Sequence, residues 1–382
     1  MISYHVHTIV PVTSQPITDA YVSCKNGIIQ SISKNKPNGK IVGIDGVLYP
    51  GLINAHTHLE FSDLKKPLGV PGTPFTDWIK LVMEYRTSRD QERLHTSITK
   101  GLAESESHGV SAIGDISTFE YRDSIVPATA EAVVFRELIG FQAAQADSQM
   151  KIAEDHLSEP ESNWYRPALS PHAPYSTNKK ILDQAIQLSH KRKIPLAMHL
   201  AETREELELL ASHSGPFFDL LNQIGVWEKN NLTDLTKPLD FLQRLSCASR
   251  ALVVHGNYLN NKELQFISEN RDILHLVFCP RTHAFFQHDR YPLEEILKRD
   301  IPIAIGTDSR ASNPDLSIWD ELQHIASKFP EISPHNILKM GTINSAKALG
   351  VDKHFGSIEV GKRAAFFLPP KAKNMLFSGA SY

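Results

Sequence analysis

Two histidines one residue apart, in Pro50-Gly51-Leu52-Ile53-Asn54-Ala55-His56-Thr57-His58, are spaced to hold a metal ion. Alternate side chains of an extended strand point the same way, so His56 and His58 project to one face and can converge on one ion. The apolar approach and the Pro-Gly start read as a buried strand whose end opens onto a site. A chain with 18 histidines contains such a pair by chance as well, so a metal clamp needs further ligands from elsewhere.

Those ligands must be held by other elements, and apolar β-branched runs recur along the chain with helical stretches between most of them. The runs are residues 52–55, 110–113, 132–135, 166–169, 194–198, 251–254, 274–278 and 301–305. Lys180 to Leu188 carries apolar residues at helical spacing after the capping groups of Ser176-Thr177-Asn178, and residues 205–210 and 292–297 behave alike. Strands alternating with helices predict an α/β protein built as a parallel (β/α)8 TIM barrel. An open doubly wound sheet is the alternative, but the first strand-to-helix turn has no dinucleotide glycine fingerprint. Gly215 to Ser249 reads as an inserted helical element. Both ends of the chain are β-like, with turns such as Lys25-Asn26-Gly27. The expected organisation is therefore a barrel over 50–350, with 1–49 and 351–382 together forming a small β-sandwich domain.

The composition bounds the partners. A formal net charge of -3 favours neither nucleic acid nor acidic membranes, and no stretch is apolar enough to span a bilayer. Cys24, Cys247 and Cys279 show no Cys-x-x-Cys spacing, which points away from a disulfide framework or thiolate zinc site and toward a reducing cytoplasm. The start of the chain lacks the basic and apolar regions of a signal peptide. The expected partner is a small molecule, and a homodimer is left open.

In a barrel of this kind chemistry sits at the carboxyl ends of the strands. The first proposed strand ends in His56 and His58, the fourth in Ser170-Pro171-His172-Ala173-Pro174-Tyr175, the fifth in His199-Leu200-Ala201-Glu202-Thr203, the sixth in His255-Gly256-Asn257 and the eighth in Gly306-Thr307-Asp308-Ser309. Together with Cys279-Pro280-Arg281, this ordered set resembles the amidohydrolase superfamily, most closely its branch of cytosine, guanine and adenosine-type deaminases and triazine chlorohydrolases. The likeness covers nearly the whole chain, since Gly356-Ser357-Ile358-Glu359-Val360-Gly361-Lys362 is similar to the family's tail.

The resemblance implies one divalent metal held by His56, His58, His199 and Asp308, with zinc ahead of iron for nitrogen and oxygen donors. Binuclear relatives use a carbamylated lysine at the end of the fourth strand, and Trp164 to Tyr175 contains none. Glu137 on the third strand is the one carboxylate that challenges a single metal. A bound ion lowers the pKa of its water from ~15.7 towards ~7, which supplies hydroxide at neutral pH. Glu202 would then protonate the ring nitrogen and the departing amine, while His255 and Asp308 orient and deprotonate the water. His172 resembles a substrate-contacting position; Ser309, Asn313, Arg136 and Trp78 are further pocket candidates, Trp78 as a stacking surface in an ordered loop.

Quieter readings stand beside these. Asp308 or Glu202 could cap a helix, Arg136 and Glu137 could be a structural pair, and Trp78 with Ile79 could be core. Where many relatives read Ser-Asn after the Cys-Pro turn this chain has Thr282-His283, and His275 and His283 carry no assigned role. The functional expectation is hydrolytic deamination of an aminated purine- or pyrimidine-like ring. His-Thr-His-Leu-Glu-Phe-Ser and Gly-Thr-Asp-Ser resemble proteins assigned to aminodeoxyfutalosine deamination in menaquinone synthesis. The alternatives are a triazine chlorohydrolase or aminohydrolase and a non-catalytic amidohydrolase-like scaffold.

Overall fold

The computed structural model describes residues 1–119, 129–162 and 164–370. The chain opens with β1 (Ile2–Ile9), β2 (Ile17–Lys25), β3 (Ile28–Ser33) and β4 (Lys40–Pro50). Eight strands follow: β5 (Leu52–Thr57), β6 (Val110–Ser117), β7 (Glu131–Leu138), β8 (Tyr165–Pro171), β9 (Leu196–Leu200), β10 (Ala251–His255), β11 (Leu274–Phe278) and β12 (Ile303–Ile305). Each pairs in parallel with its sequence neighbour, and helices fill most of the intervals, which is a (β/α)8 barrel. All eight runs marked in the sequence fall on these strands.

Burial explains the composition of the runs. Every residue of β5, β9, β10 and β11 is buried, as parallel strands covered by helices must be. Ile53, Ala55, Val133, Phe135, Leu252 and Val277 form an inner cluster that Leu349 and Val351 join from beyond β12. Leu52, Val134, Leu196, Val253 and Leu276 pack outward against helix residues such as Ile98, Leu182 and Leu264. The inserted segment contributes the helices Pro216–Gln223 and Pro238–Leu245, each with proline in its first turn, where a missing N–H costs nothing.

The barrel seam lies between β12 and β5. Asn54 Nδ2 donates to Thr307 Oγ1 at 2.8 Å, Thr307 N donates back to Asn54 Oδ1 at 3.2 Å, and an isolated parallel bridge joins Thr57 to Asp308. Gly306 allows this approach: a Cβ there would lie 2.6 Å from His56 O and 2.7 Å from His56 Cβ. Pairing of β5 with β6 shifts register between Asn54 and Thr57, an irregularity of the kind that re-aims side chains at barrel rims.

Both ends of the chain meet in a separate five-stranded sheet of order β13-β4-β1-β2-β3, where β13 is Phe366–Phe367. Both chain ends thus build the expected small β domain, in which Ile358 and Ala364 pack on the apolar residues Val6, Ile9, Val22, Ile29 and Leu48. No helix among the described residues is long and apolar enough to cross a membrane.

Candidate active site

The polar strand ends converge because the backbone turns sharply as it leaves the sheet. Ala201, His255 and Asp308, at the ends of β9, β10 and β12, adopt φ of 53°, 70° and 55°, a left-handed conformation that costs non-glycine residues energy and clusters at functional sites. Neighbouring groups hold these turns. Asp308 N donates to His56 O at 3.1 Å and Thr57 Oγ1 donates to Asp308 O at 2.8 Å. Tyr258 N reaches Ala201 O at 3.1 Å, Asn257 Nδ2 reaches Glu202 O at 2.9 Å, and Tyr291 Oη reaches His255 O at 3.2 Å.

His56, His58, His199 and Asp308 meet at one point. Asp308 Oδ1 is 3.6 Å from both His56 Nε2 and His58 Nε2, and His58 Nε2 is 3.3 Å from His199 Nε2. With His255 they form two overlapping clusters of metal-binding size, His56-His58-Asp308 and His56-His199-His255. His199 Nδ1 donates to His172 O at 2.9 Å, which leaves Nε2 as the lone-pair nitrogen facing the cluster. His56 Nε2 is buried without a hydrogen-bond partner. Burial and the adjacent histidines hold His58 well below its usual pKa. Burial and His56 bring His199 to about 3, against the opposing pull of its bond to His172 and of Asp308. Three imidazoles, one carboxylate and the orphaned buried nitrogen of His56 are a donor set that fits a borderline divalent cation. Ser312 Oγ donates to Asp308 Oδ2 at 3.0 Å and fixes that carboxylate.

Glu202 lies beside this cluster, with Oε1 3.3 Å from His255 Nε2 and both side chains buried. Burial, then the charges of Asp308 and Glu206, push its carboxyl well above the usual range, which favours its protonated form. Burial, then His199 and His56, keep His255 well below its ordinary value. Glu202 does not cap the following helix. Thr203 does, accepting from Glu206 N at 3.1 Å, while Glu206 accepts from Ala201 N at 2.8 Å and Glu202 N at 3.0 Å. Glu206 completes a Thr-x-x-Glu capping pattern, the sequence signal that would have found it. Burial lifts its carboxyl to about 7 in spite of the two backbone donors.

A cavity of about 250 Å³ opens above these groups, lined by His58, His172, His199, Glu202, His255, Asp308 and Ser309 and otherwise largely by apolar side chains. Trp78 lines it and also packs at 5.5 Å from Phe75 and 5.1 Å from Phe286, so it is wall and core at once. Tyr175 stacks on Phe217 at 4.2 Å in the same wall. His172 lines the cavity with Nδ1 2.5 Å from Ser176 Oγ. Two expected contacts lie elsewhere, and the Thr282-His283 departure does not reach the cavity. Arg136 does not line the cavity, because alternation along β7 turns its neighbour Glu137 to the site side. Asn313 is buried in the scaffold, donating to Thr307 O and Glu321 Oε1 at 2.7 Å each. Thr282 bonds Ser312 Oγ at 3.0 Å, and His283 packs beside Phe278 and Tyr291, so the departure at the seventh strand stays behind the wall. A larger cavity of about 550 Å³ near Arg250 and Lys347 contains none of the strand-end groups; His275, 2.8 Å from Arg250, lines it.

Sequence reasoning also missed Arg86, which lines the cavity and bridges Glu60 at 2.6 Å and Glu137 at 3.2 Å. No local spacing announces a pair made between the first-strand loop, the helix Phe75–Thr87 and β7.

A family model described as the amidohydrolase family matches residues 47–377. The 5'-deoxyadenosine deaminase of Methanococcus maripaludis is 26% identical over 363 residues, covering 90% of this chain and 79% of that protein. The aminodeoxyfutalosine deaminase of Nitratiruptor is 28% identical over 345 residues, with 88% and 82% covered. Among solved structures, the Helicobacter pylori aminofutalosine deaminase in complex with methylthio-coformycin superposes with a TM-score of 0.84 at 24% identity, covering 96% of this chain and 91% of that one.

Proposed function

We propose, because this chain belongs to the amidohydrolase family, that it is a metal-dependent deaminase of an aminated heterocycle with an adenine-nucleoside-like structure. The observation that carries the reading is the buried Glu202–His255 contact at 3.3 Å beside a three-histidine, one-aspartate cluster. A metal alone would suit many hydrolases; a proton-holding carboxyl next to it suits one that must protonate a ring nitrogen and then an amine. The relatives that carry deaminase names act on adenosine-type compounds, in line with that requirement.

His56, His58, His199 and Asp308 would hold the ion, with zinc the best match to the donors. Bound there, it would supply Lewis acidity and ionise water near neutral pH. Glu202 delivers its proton to the ring nitrogen as the adjacent carbon becomes tetrahedral, while Asp308 receives the first proton that water gives up. Glu202, now a carboxylate, takes the second water proton from the new hydroxyl as the carbonyl forms, hands it to the leaving amine, and regains its own proton from Asp308; His255 Nε2 faces Glu202 Oε1 and orients that exchange. His172 and Ser309 contact the heterocycle, and Trp78 offers it a flat apolar wall. An adenine nucleoside places the reaction in nucleoside chemistry; aminodeoxyfutalosine as the substrate would place it in menaquinone synthesis. Cys24, Cys247 and Cys279 are all unpaired thiols, which suits a reducing cytoplasm.

The test is ammonia release by metal-loaded protein across adenosine, 5'-deoxyadenosine, aminodeoxyfutalosine, guanine, cytosine and triazine compounds. Turnover of an adenine nucleoside supports the reading. Turnover of triazines alone would replace it with the chlorohydrolase alternative, and silence across the panel with the scaffold.

A further inference from the structure

A chain of buried polar groups runs from the first-strand loop to the substrate wall and takes no part in the mechanism above. Glu60 follows His58 by two residues and is almost fully buried. Its Oε1 accepts from Arg86 Nη2 at 2.6 Å and its Oε2 from Arg89 Nη2 at 3.0 Å and Thr118 Oγ1 at 2.9 Å. Arg86 Nη2 also reaches Glu137 Oε2 at 3.2 Å. Glu137 has no exposed side-chain surface, and its second oxygen, Oε1, has no hydrogen-bond partner but lies 3.5 Å from His172 Nε2. Two carboxylates face two guanidiniums, and burial still raises the Glu137 carboxyl to about 7 against the pull of Arg86.

Glu137 Oε1 faces the only ring nitrogen of His172 that is not already engaged. His172 Nδ1 is 2.5 Å from Ser176 Oγ, a hydroxyl that can donate to it. In its ionised form, which burial disfavours by raising the carboxyl to about 7, Glu137 presents an acceptor-only oxygen opposite Nε2 and favours the tautomer with its proton there; Ser176 Oγ, which also reaches Ala173 O at 3.3 Å, meets that tautomer by donating to Nδ1. The arrangement resembles the way a carboxylate fixes the tautomer of a metal-ligating histidine, here applied to a histidine in the cavity wall. The 3.5 Å separation is longer than a formed hydrogen bond, so the proton is directed without being consumed.

We propose that Glu137, anchored through Arg86 to Glu60, is a positioning residue that holds His172 as its Nε2–H tautomer, so that His172 donates to an acceptor atom of the heterocycle. This rests on the deaminase reading for its effect on rate but not for the tautomer itself. It also gives Glu137 a role other than a metal ligand or a structural partner of Arg136.

The test is a double-mutant cycle with Glu137→Gln, His172→Ala and the pair together, in metal-loaded protein, alongside nitrogen-15 spectra of histidine-labelled protein. Glu137→Gln should keep its metal and lose about 10–100-fold in kcat/KM, the usual cost of removing an outer-shell partner. The double variant should be no slower than His172→Ala, because Glu137 acts through that ring. Losses that multiply would overturn the proposal, as would a His172 tautomer unchanged by Glu137→Gln. Should Glu137→Gln fail to fold, Glu137→Asp, which draws the carboxylate back from Nε2, carries the same two readouts: losses that multiply with those of His172→Ala, or an unchanged tautomer, would be fatal. A wild type silent on every nucleoside would defeat the deaminase reading, while the spectra would still decide the tautomer.

Discussion

Glu202→Gln separates proton transfer from everything else this side chain does. The glutamine has the same shape, and the bonds that hold the turn are made by the Glu202 backbone, its N–H to Glu206 and its carbonyl to Asn257, so the local fold should persist. Glu202 is in neither of the metal-sized clusters, so metal content should also persist. What disappears is a proton held at the carboxyl by burial and by Asp308 and Glu206. One proton-transfer group typically contributes ~10²–10⁴ in rate, and Glu202 serves both the ring nitrogen and the amine, so the upper half of that range is expected. A loss of ~10³–10⁴ corresponds to about 4–5.5 kcal/mol on the barrier. Thermal stability should change little, because the glutamine, like the protonated carboxyl it replaces, is neutral beside Asp308 and Glu206. The assay is steady-state ammonia release with metal analysis and a melting curve on the same sample. A rate within ~10-fold of wild type, with metal retained, would remove Glu202 as the proton carrier; loss of the metal would mean that Glu202 is a ligand.

Three further outcomes follow from the same geometry. Purified protein should carry about one equivalent of zinc or iron, and His199→Ala should lose it; full occupancy in that variant, measured by elemental analysis, would reject the coordination set. Gly306→Ala should destabilise the protein by about 1–3 kcal/mol or more and weaken metal binding, since its Cβ would meet His56 backbone at 2.6 Å, and a wild-type denaturation midpoint would refute the seam geometry. Burial raises the Glu206 carboxyl from 4.5 in the unfolded chain to about 7. Its contribution to stability is therefore fully present below about pH 4.5 and is lost as pH rises through about 7. In chelator-treated protein, Glu206→Gln should remove a pH-dependent loss of at most roughly 3 kcal/mol over that window, and parallel stability profiles for the two proteins would contradict it.

The barrel was legible because its strands announce themselves twice. They are continuous apolar runs, as strands buried on both faces must be, and most end in a residue that can bind a metal or a proton. What local pattern could not convey is orientation and long-range company. Arg136 and Glu137 are adjacent and equally polar; only the pleat of β7 decides which faces the site. Asn313 sits five residues after Asp308, close enough to suggest a substrate contact, yet the loop folds it onto Glu321. The link from Glu60 through Arg86 to Glu137 joins residues 26 and 51 positions apart, a separation with no periodic signature.

The seam between β12 and β5 also sets a timetable for the newborn chain. Thr57 and Asp308, joined across it, are 251 residues apart. At ~5–20 residues per second the ribosome needs roughly 12–50 s to travel that distance. For all that time the set formed by His56, His58, His199 and Asp308 is incomplete, because Asp308 is made last, and the first strand has no last strand beside it. An ion held by these four residues would tie the two ends of the barrel together, so that loading with metal would double as a checkpoint that synthesis has run past the eighth strand.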